Sequence, residues 1–327
     1  MQLYFAPLEG ITGFTYRNIH HEFFGEGIDT YFTPFIVPTG GGFTKNRSMK
    51  DILPENNVGV PIVPQLLSNN AEDFTGLVKI LLDLGYEEVN LNLGCPYQTV
   101  VSKGRGSGFL GRLDDLERFF DTIFESCNDK IAISVKTRLG LERDEEWAGI
   151  LDLYNKYPIK ELTVHARTRK EFYKGTPNME AFAYAVANSK NPLCYNGDIF
   201  TKSDYHKFRE NFPQTESMMI GRGLLTNPAL VREIKGGPAI TKEEIMAFHD
   251  KLYEEFLVLF QSETNTMFKM KELWNYWQYL FVETENSKAV SKYIKQIRKA
   301  QRAADYLSVA RMLFTMCDIK EEARFEG

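Results

Sequence analysis

The chain has 327 residues, 43% hydrophobic and 25% charged, with a net charge of −5 and a pI near 5.7. That composition excludes wholesale disorder and leaves room for two ordinary domains or for one barrel plus an appendage. It also excludes nucleic-acid binding by bulk basicity, so such a partner would need a local patch. No apolar run reaches the ~18 residues of a membrane helix, and MQLYFAPLEG lacks the basic and apolar regions of a secretory leader. A cytoplasmic protein with no membrane partner is expected. Cys95, Cys127, Cys194 and Cys317 are scattered without a CxxC pair, which argues against zinc or a disulfide framework and suits a reducing compartment.

In chain order, short β-rich runs occur at 3–7 (LYFAP), 29–36 (DTYFTPFI), 61–66 (PIVPQL) and 88–94 (EVNLNLG). They continue at 131–138 (IAISVKTR), 161–167 (ELTVHAR), 192–198 (PLCYNGD) and 217–223 (SMMIGRG). The stretches at 71–85, 113–126, 146–157, 179–189 and 202–211 carry apolar residues near helical spacing. Repeated βα units of this number predict an α/β fold, a (β/α)8 TIM barrel. An open doubly wound sheet would carry GxGxxG after its first strand, and APLEGITG does not supply it. From Thr241 onward the alternation stops, and 242–260, 266–281 and 290–314 read as long amphipathic helices. The Gly236, Gly237, Pro238 breaker sets the boundary, with a catalytic barrel over 1–236 and a C-terminal all-helical domain over 240–327.

Barrels collect functional residues at the C-terminal ends of their strands. Pro7, Leu8 and Glu9 follow the first strand here, Gln65 lies on the third, and Asn92 and Cys95 fall at the end of the fourth. Lys136 and Arg138 lie on the fifth and His165 and Arg167 on the sixth. Asn196, Gly197 and Asp198 end the seventh, and Gly221, Arg222 and Gly223 the eighth. Singly, each reads as an ordinary buried polar group with a partner. Together, a Gln, a Lys and a His at one height surround a cavity with donors, which is costly unless a polar ligand fills it. YNGDI and IGRGLLTNP stand where barrels hold phosphates: glycine N–H groups approach closely, a helix N-terminus adds positive charge, and Arg222 can grip two oxygens. A phosphorylated ligand across the barrel mouth is expected. No metal is expected, since the histidines are dispersed and the adjacent His20 and His21 point different ways on one helix.

Spacing alone leaves Cys95 open. Free cysteines are often buried, and Pro96 simply marks the strand's end. The mobile, glycine-rich polar loop behind it, YQTVVSKGRGSGFLG, makes Cys95 a candidate acid or nucleophile.

The segments APLEGIT, VPQL, VNLNLGCPYQTVVSKGRGSGFL, ISVKTRLG, LTVHARTRKEFYKG, CYNGDIF and MMIGRGLLTNPAL, in this order, resemble the flavin-dependent tRNA-dihydrouridine synthases. The NxGCP segment is that family's hallmark, and the likeness extends more weakly into the helical C-terminal part. It implies an FMN-bearing barrel with a helical tRNA-binding domain that uses NADPH to reduce the 5,6 double bond of particular uridines in tRNA. Carried over by position, Pro7, Leu8 and Glu9 would meet the flavin ring, and Gln65 and Lys136 its polar edge. His165, Asn196, Gly197, Asp198, Gly221 and Arg222 would take the ribityl and phosphate end. Cys95 would be the general acid, giving a proton to uracil C5 while reduced flavin N5 delivers hydride to C6; a thiol of ordinary pKa is mostly protonated at neutral pH. Asn92 and Arg138 would touch the uracil. The sequence departs from the family at Leu8, usually Met, and at Gly13, usually Asp.

An acidic protein that binds tRNA needs local phosphate contacts. Lys288, Lys292, Lys295, Lys299 and Arg302 recur at spacings of four, three, four and three, with Arg298 beside them and no acid before Asp305. Most solvated helix faces mix signs, so this unbroken stripe points to the tRNA surface, and Lys103 and Arg105 on the Cys95 loop would extend it. A monomer is expected. The competing reading is a flavin barrel acting on a free pyrimidine such as dihydroorotate, which would have no use for the basic stripe.

Overall fold

The computed structural model describes residues 1–38, 47–127, 129–282 and 289–326. The strands are β1 (Gln2–Phe5), β2 (Thr30–Phe32), β3 (Ile62–Val63), β4 (Gln65–Leu66), β5 (Glu88–Leu93), β6 (Ala132–Arg138), β7 (Leu162–His165), β8 (Leu193–Asn196) and β9 (Ser217–Ile220). The α-helices are α1 (Phe14–Phe24), α2 (Ala71–Asp83), α3 (Gln98–Val101), α4 (Leu113–Cys127), α5 (Glu146–Tyr154), α6 (Met179–Asn188) and α7 (Lys202–Asn211). They continue as α8 (Arg222–Thr226), α9 (Leu230–Ile234), α10 (Lys242–Phe260), α11 (Glu263–Trp277), α12 (Ala289–Lys299) and α13 (Ala303–Met316).

Two compact units form. The first comprises Met1–Glu9, Asp29–Asp198 and Phe212–Met219; the second comprises Gly10–Ile28, Ile199–Asn211 and Ile220–Gly327.

In the first unit the strands pair in parallel in the order β3-β2-β1-β9-β8-β7-β6-β5-β4. The ends of that order, β3 and β4, are consecutive in the chain with only Pro64 between them, so the sheet returns on itself as a barrel. Pro64 has no N–H for the ladder, which splits one strand into two short ones. Period-two alternation then divides the side chains. Val89, Leu91 and Leu93 are fully buried and share one face of β5, while Glu88, Asn90 and Asn92 share the other. Tyr4, Phe32, Val63, Cys194 and Met219 of strands β1, β2, β3, β8 and β9, with Ala6 just past β1, form an apolar cluster. The polar residues concentrate on β4 to β8.

Helix α4 shows why these segments are helical. Leu116, Phe119, Phe120, Ile123 and Cys127 are buried at helical spacing, each large side chain contributing on the order of 1.5–3 kcal/mol relative to exposure. Helix α2 starts at Asn70, whose side chain accepts the Asp73 N–H at 2.8 Å.

The second unit is helical. Thr241 and Glu244 form a reciprocal capping box at the start of α10, and Arg232 clasps Glu244 through two bonds of 2.7 and 2.8 Å. The expected single helix over 290–314 is two helices, α12 and α13. The apolar spacing Val290, Ile294, Ile297 lapses through Gln301 and Asp305 before Tyr306, Ala310 and Leu313 resume it, so one straight helix would not bury both sets. Lys271 Nζ donates to the Ala300 carbonyl at the break. Among the described residues no helix is long and apolar enough to cross a membrane.

Candidate active site

Cys95 lies two residues beyond β5 and is half-buried. Asn92, on the interior face of β5, turns its Oδ1 forward to accept the N–H groups of Gly94 (3.0 Å) and Cys95 (2.9 Å), fixing the backbone that carries the thiol. Asn92 Nδ2 donates to Gln65 Oε1 (2.7 Å), Gln65 Nε2 to Asn90 Oδ1 (2.8 Å), and Asn90 Nδ2 to Ser134 Oγ (2.9 Å). This relay over β4, β5 and β6 makes the fully buried Gln65 a support for Asn92.

The loop behind the cysteine folds back onto it. Ser107 N–H and Oγ both donate to the Cys95 carbonyl, at 3.1 and 2.8 Å. Gly106 has φ +56°, and a Cβ there would stand 2.9 Å from that carbonyl oxygen, so the return requires glycine. Arg138, 1% exposed, donates from Nε to the Gly94 carbonyl (2.9 Å) and from Nη1 to the Thr168 carbonyl (2.8 Å), with its guanidinium 5.3 Å from the Tyr173 ring centre. It is a strut between the loops after β5 and β7. Burial raises the Cys95 thiol above its ordinary value; the Tyr97 N–H and the Arg138 charge pull it down and the Glu9 charge pushes it up.

Lys136 extends from β6 to donate from Nζ to Asn196 Oδ1 on β8 (2.7 Å), and Asn196 Nδ2 in turn holds the Met219 carbonyl (2.7 Å). Burial pushes the Lys136 ammonium down to about 7, and the Arg138 charge acts in the same direction. His165 ends β7, opposite Arg138 on one side and Asn196 on the other. Its Nε2 lies 3.3 Å from Arg167 Nη1, and the same guanidinium clasps Asp198 through two bonds of 3.0 and 2.5 Å. Pro7 and Leu8 are half-buried just past β1, and Glu9 is exposed. Gly197 has no room for a side chain, since a Cβ would stand 2.1 Å from the Tyr195 hydroxyl.

The first unit thus gathers Gln65, Asn92, Cys95, Lys136, Arg138, His165, Asn196 and Asp198 at neighbouring strand ends. Three cations, Lys136, Arg138 and Arg167, stand at adjacent ends, while Asp198 is clasped by one of them. That donor-rich, positively biased set fits a polar anionic ligand such as a flavin mononucleotide. Lys103 is exposed, and Arg105 is tied through Nε to Asn69 Oδ1 at 3.3 Å. Sequence reasoning missed Asn90 and Ser134, which were signalled by period-two alternation with Asn92 and Lys136; it placed Arg167 at the end of the sixth strand without giving it a role.

In the second unit Gly221 precedes α8 and Arg222 opens it, the guanidinium lying 5.4 Å from the Phe200 ring centre and 5.2 Å from that of Phe325. With five residues, α8 is too short to build much of a macrodipole, so the expected help from a helix N-terminus is small. Lys292, Lys295, Arg298 and Lys299 are exposed on α12, opposite the buried Val290, Ile294 and Ile297. Arg302 departs from the expected stripe: it lies beyond α12, at the residue before α13, and binds Asp305 through two bonds of 2.8 and 2.7 Å. Lys288 lies outside the described residues.

A parallel barrel with a cysteine on the loop after β5 and a lysine beside it on β6 defines a class of barrel enzyme with its chemistry at the strand ends. The family model for dihydrouridine synthase matches residues 4–315, and the chain belongs to that family. Dihydrouridine carries two hydrogens more than uridine, so the chain is an oxidoreductase. A probable tRNA-dihydrouridine synthase of Staphylococcus epidermidis (strain ATCC 12228 / FDA PCI 1200) is 28% identical over 259 residues, covering 77% of each chain. A probable tRNA-dihydrouridine synthase 2 of Bacillus subtilis (strain 168) is 28% identical over 259 residues, covering 77% of this chain and 78% of the relative. Among solved structures, morphinone reductase matches with a TM-score of 0.51 at 13% identity, over 73% of this chain and 86% of that one. Histamine dehydrogenase from Rhizobium sp. 4-9 matches with a TM-score of 0.54 at 12% identity, over 72% of this chain and 45% of that one. These two likenesses show the barrel fold alone.

Proposed function

We propose that the chain reduces the 5,6 double bond of particular uridines in tRNA, using FMN reduced by NADPH, with Cys95 as general acid. The observation that carries this reading is the placement of Cys95: a thiol raised by burial, on a backbone fixed by Asn92, Ser107 and Arg138, at strand ends rich in cations. The bound flavin supplies the hydride for uracil C6. Cys95 gives its proton to C5 and is reprotonated from solvent, and a raised thiol keeps that proton available at neutral pH. Lys136 balances negative charge on the flavin's polar edge. Pro7, Leu8 and Glu9 line the flavin ring, and Gln65 acts by holding Asn92. His165, Asn196, Gly197 and Asp198, with Gly221 and Arg222, serve the ribityl phosphate. Asn92 and Arg138 border the uracil, Arg138 chiefly as the strut that positions Cys95.

The functional division we propose is a flavin-binding catalytic part over 1–236 and a tRNA-binding part over 240–327, in a cytoplasmic monomer. Lys292, Lys295, Arg298 and Lys299 of α12 meet tRNA phosphates, with Lys103 and Arg105 on the loop that carries the thiol; Lys288 and Arg302 flank that helix in sequence and are the outlying members of the basic set. A target uridine stacked in folded tRNA must turn outward to reach a barrel mouth, at a cost of a few kcal/mol that such contacts offset. The test is to incubate the flavin-loaded protein with NADPH and tRNA lacking dihydrouridine, then assay dihydrouridine in the product. Its formation supports the reading; reduction of free uracil or orotate with none in tRNA overturns it.

A further inference from the structure

Tyr97 follows the thiol by two residues and is 55% exposed, the second most exposed of the large apolar side chains on the first unit's described surface after Val58. Its ring meets that of Phe172 edge to face, with centroids 6.0 Å apart and planes at 86°. Phe172 belongs to the loop after β7 and holds φ +55°, an uncommon conformation for a bulky side chain. A second tie joins the same two loops next to this pair, Arg169 Nη2 donating to Gln98 Oε1 at 2.6 Å. Arg169 and Lys170, just before Phe172, face Glu142 at 3.9 and 3.4 Å. Lys103 and Lys174 are exposed, while Glu171 is turned inward to accept from Thr168 N–H and Oγ. A latch alone would bury its rings; this one keeps a large aromatic surface in water, two residues from the thiol, with an exposed lysine on each of the two loops.

We propose that Tyr97, backed by Phe172, is a stacking platform for the base flanking the reacting uridine, an inference that rests on the tRNA reading above. A nucleotide turned out of its stack leaves its neighbour with one uncovered face, and an exposed aromatic ring is the side chain that best replaces the lost stacking, without base preference. The lysines then meet the flanking phosphates. Tyr97 is here a substrate-binding residue that contributes to RNA affinity, while Phe172 is a positioning residue that fixes its ring.

The experiment uses Tyr97→Trp in the flavin-loaded full chain as a reporter. The native tryptophans, Trp147, Trp274 and Trp277, are at most 2% exposed, so solvent-facing emission belongs to position 97. Unmodified tRNA is expected to quench that emission over the concentrations at which filter retention shows binding. Tyr97→Phe should keep the wild-type KM for tRNA, and Tyr97→Ala should raise it on the order of tenfold, with kcat and flavin content unchanged. Emission that stays constant while tRNA is bound, or an alanine variant whose loss falls in kcat alone, overturns the platform and leaves the pair a latch between two loops. A wild-type chain that makes no dihydrouridine in tRNA overturns the proposed function itself, a different result from either of these.

Discussion

A thiol works as an acid here only while it holds its proton, and the site protects that state by burial more than by any partner. Cys95→Ala is expected to retain FMN and NADPH oxidation but to lose about 10²- to 10⁴-fold in single-turnover reduction of tRNA uridine, the usual worth of a positioned acid. Because burial raises the thiol from its ordinary value, the alkaline fall in the wild-type single-turnover rate that Cys95→Ala abolishes should lie above the ordinary thiol range. Lys136 is the opposite case, a cation that burial disfavours. Its ammonium sits at about 7 in the folded chain against an ordinary value of 10.5, so the unfolded chain binds more protons between these limits. Stability from this group therefore rises as pH climbs through that window, and its penalty is complete below 7. Lys136→Met removes the penalty, and also the donor to Asn196. In flavin-free protein the stability difference, variant minus wild type by urea unfolding, should be largest below pH 7 and shrink toward pH 10; a constant difference would show that Lys136 is not held low. The position of Cys95, Lys136 and Asn92 at neighbouring strand ends was legible in the sequence because they stand within motifs. The ties of Arg138 to the Gly94 and Thr168 carbonyls and of Gln65 to Asn92 were not, since they depend on which carbonyls and amides the fold brings within reach.

At the scale of elements, apolar periodicity found the strands and the helices α2, α4, α5, α6, α7 and α10 because each buries one continuous face. It missed the break between α12 and α13, where the periodic signal lapses for only about two turns and the decisive partner, Lys271, comes from another helix. It also did not foresee that Pro64 would divide one strand while leaving the barrel closed. The departure at Gly13 has a local consequence. Gly13 is the residue before α1, in extended conformation at φ −62° and ψ 170°, and as a glycine it offers the first turn no side-chain cap oxygen. Gly13→Asp fits that backbone, supplies a cap oxygen and removes a glycine from the unfolded ensemble, so it should stabilise by a few tenths to about 1 kcal/mol. Thermal denaturation checks this, and an unchanged or lower Tm would mean that the turn before α1 is not limited by its cap.

At the scale of the whole molecule, the chain is net acidic yet carries its exposed basic run on one short helix, which separates an attraction to phosphate from the protein's overall charge. Reversing Lys292 and Lys295 to Glu should weaken tRNA binding, flatten its dependence on salt by roughly one phosphate contact per residue, and leave NADPH-driven flavin reduction intact. The second unit should answer acid through its buried histidines. In the second unit His20 is fully buried with Nε2 at 3.1 Å from the Pro228 carbonyl, and burial lowers its imidazole to about 3; His249 is buried against Tyr306 and is likewise lowered by burial, though Asp250 opposes the shift. Both folded values lie below the ordinary 6.5, so the unfolded chain binds more protons once pH drops under 6.5. Stability of this unit is therefore lost as pH falls below 6.5, for His20 down to about 3, with a limiting slope of about 1.4 kcal/mol per pH unit for each histidine that stays neutral in the folded chain. Trp274 and Trp277 are buried in the same unit, while Trp147 belongs to the other. In a Trp147→Phe background their emission reports the helical unit alone, and its urea midpoint should drop steadily between pH 6.5 and 4.5. His20→Gln should shallow that decline, because one proton uptake is gone while those of His249 and of His21, also lowered by burial, remain. A midpoint that does not move over this range would mean that none of these histidines resists protonation in the folded chain.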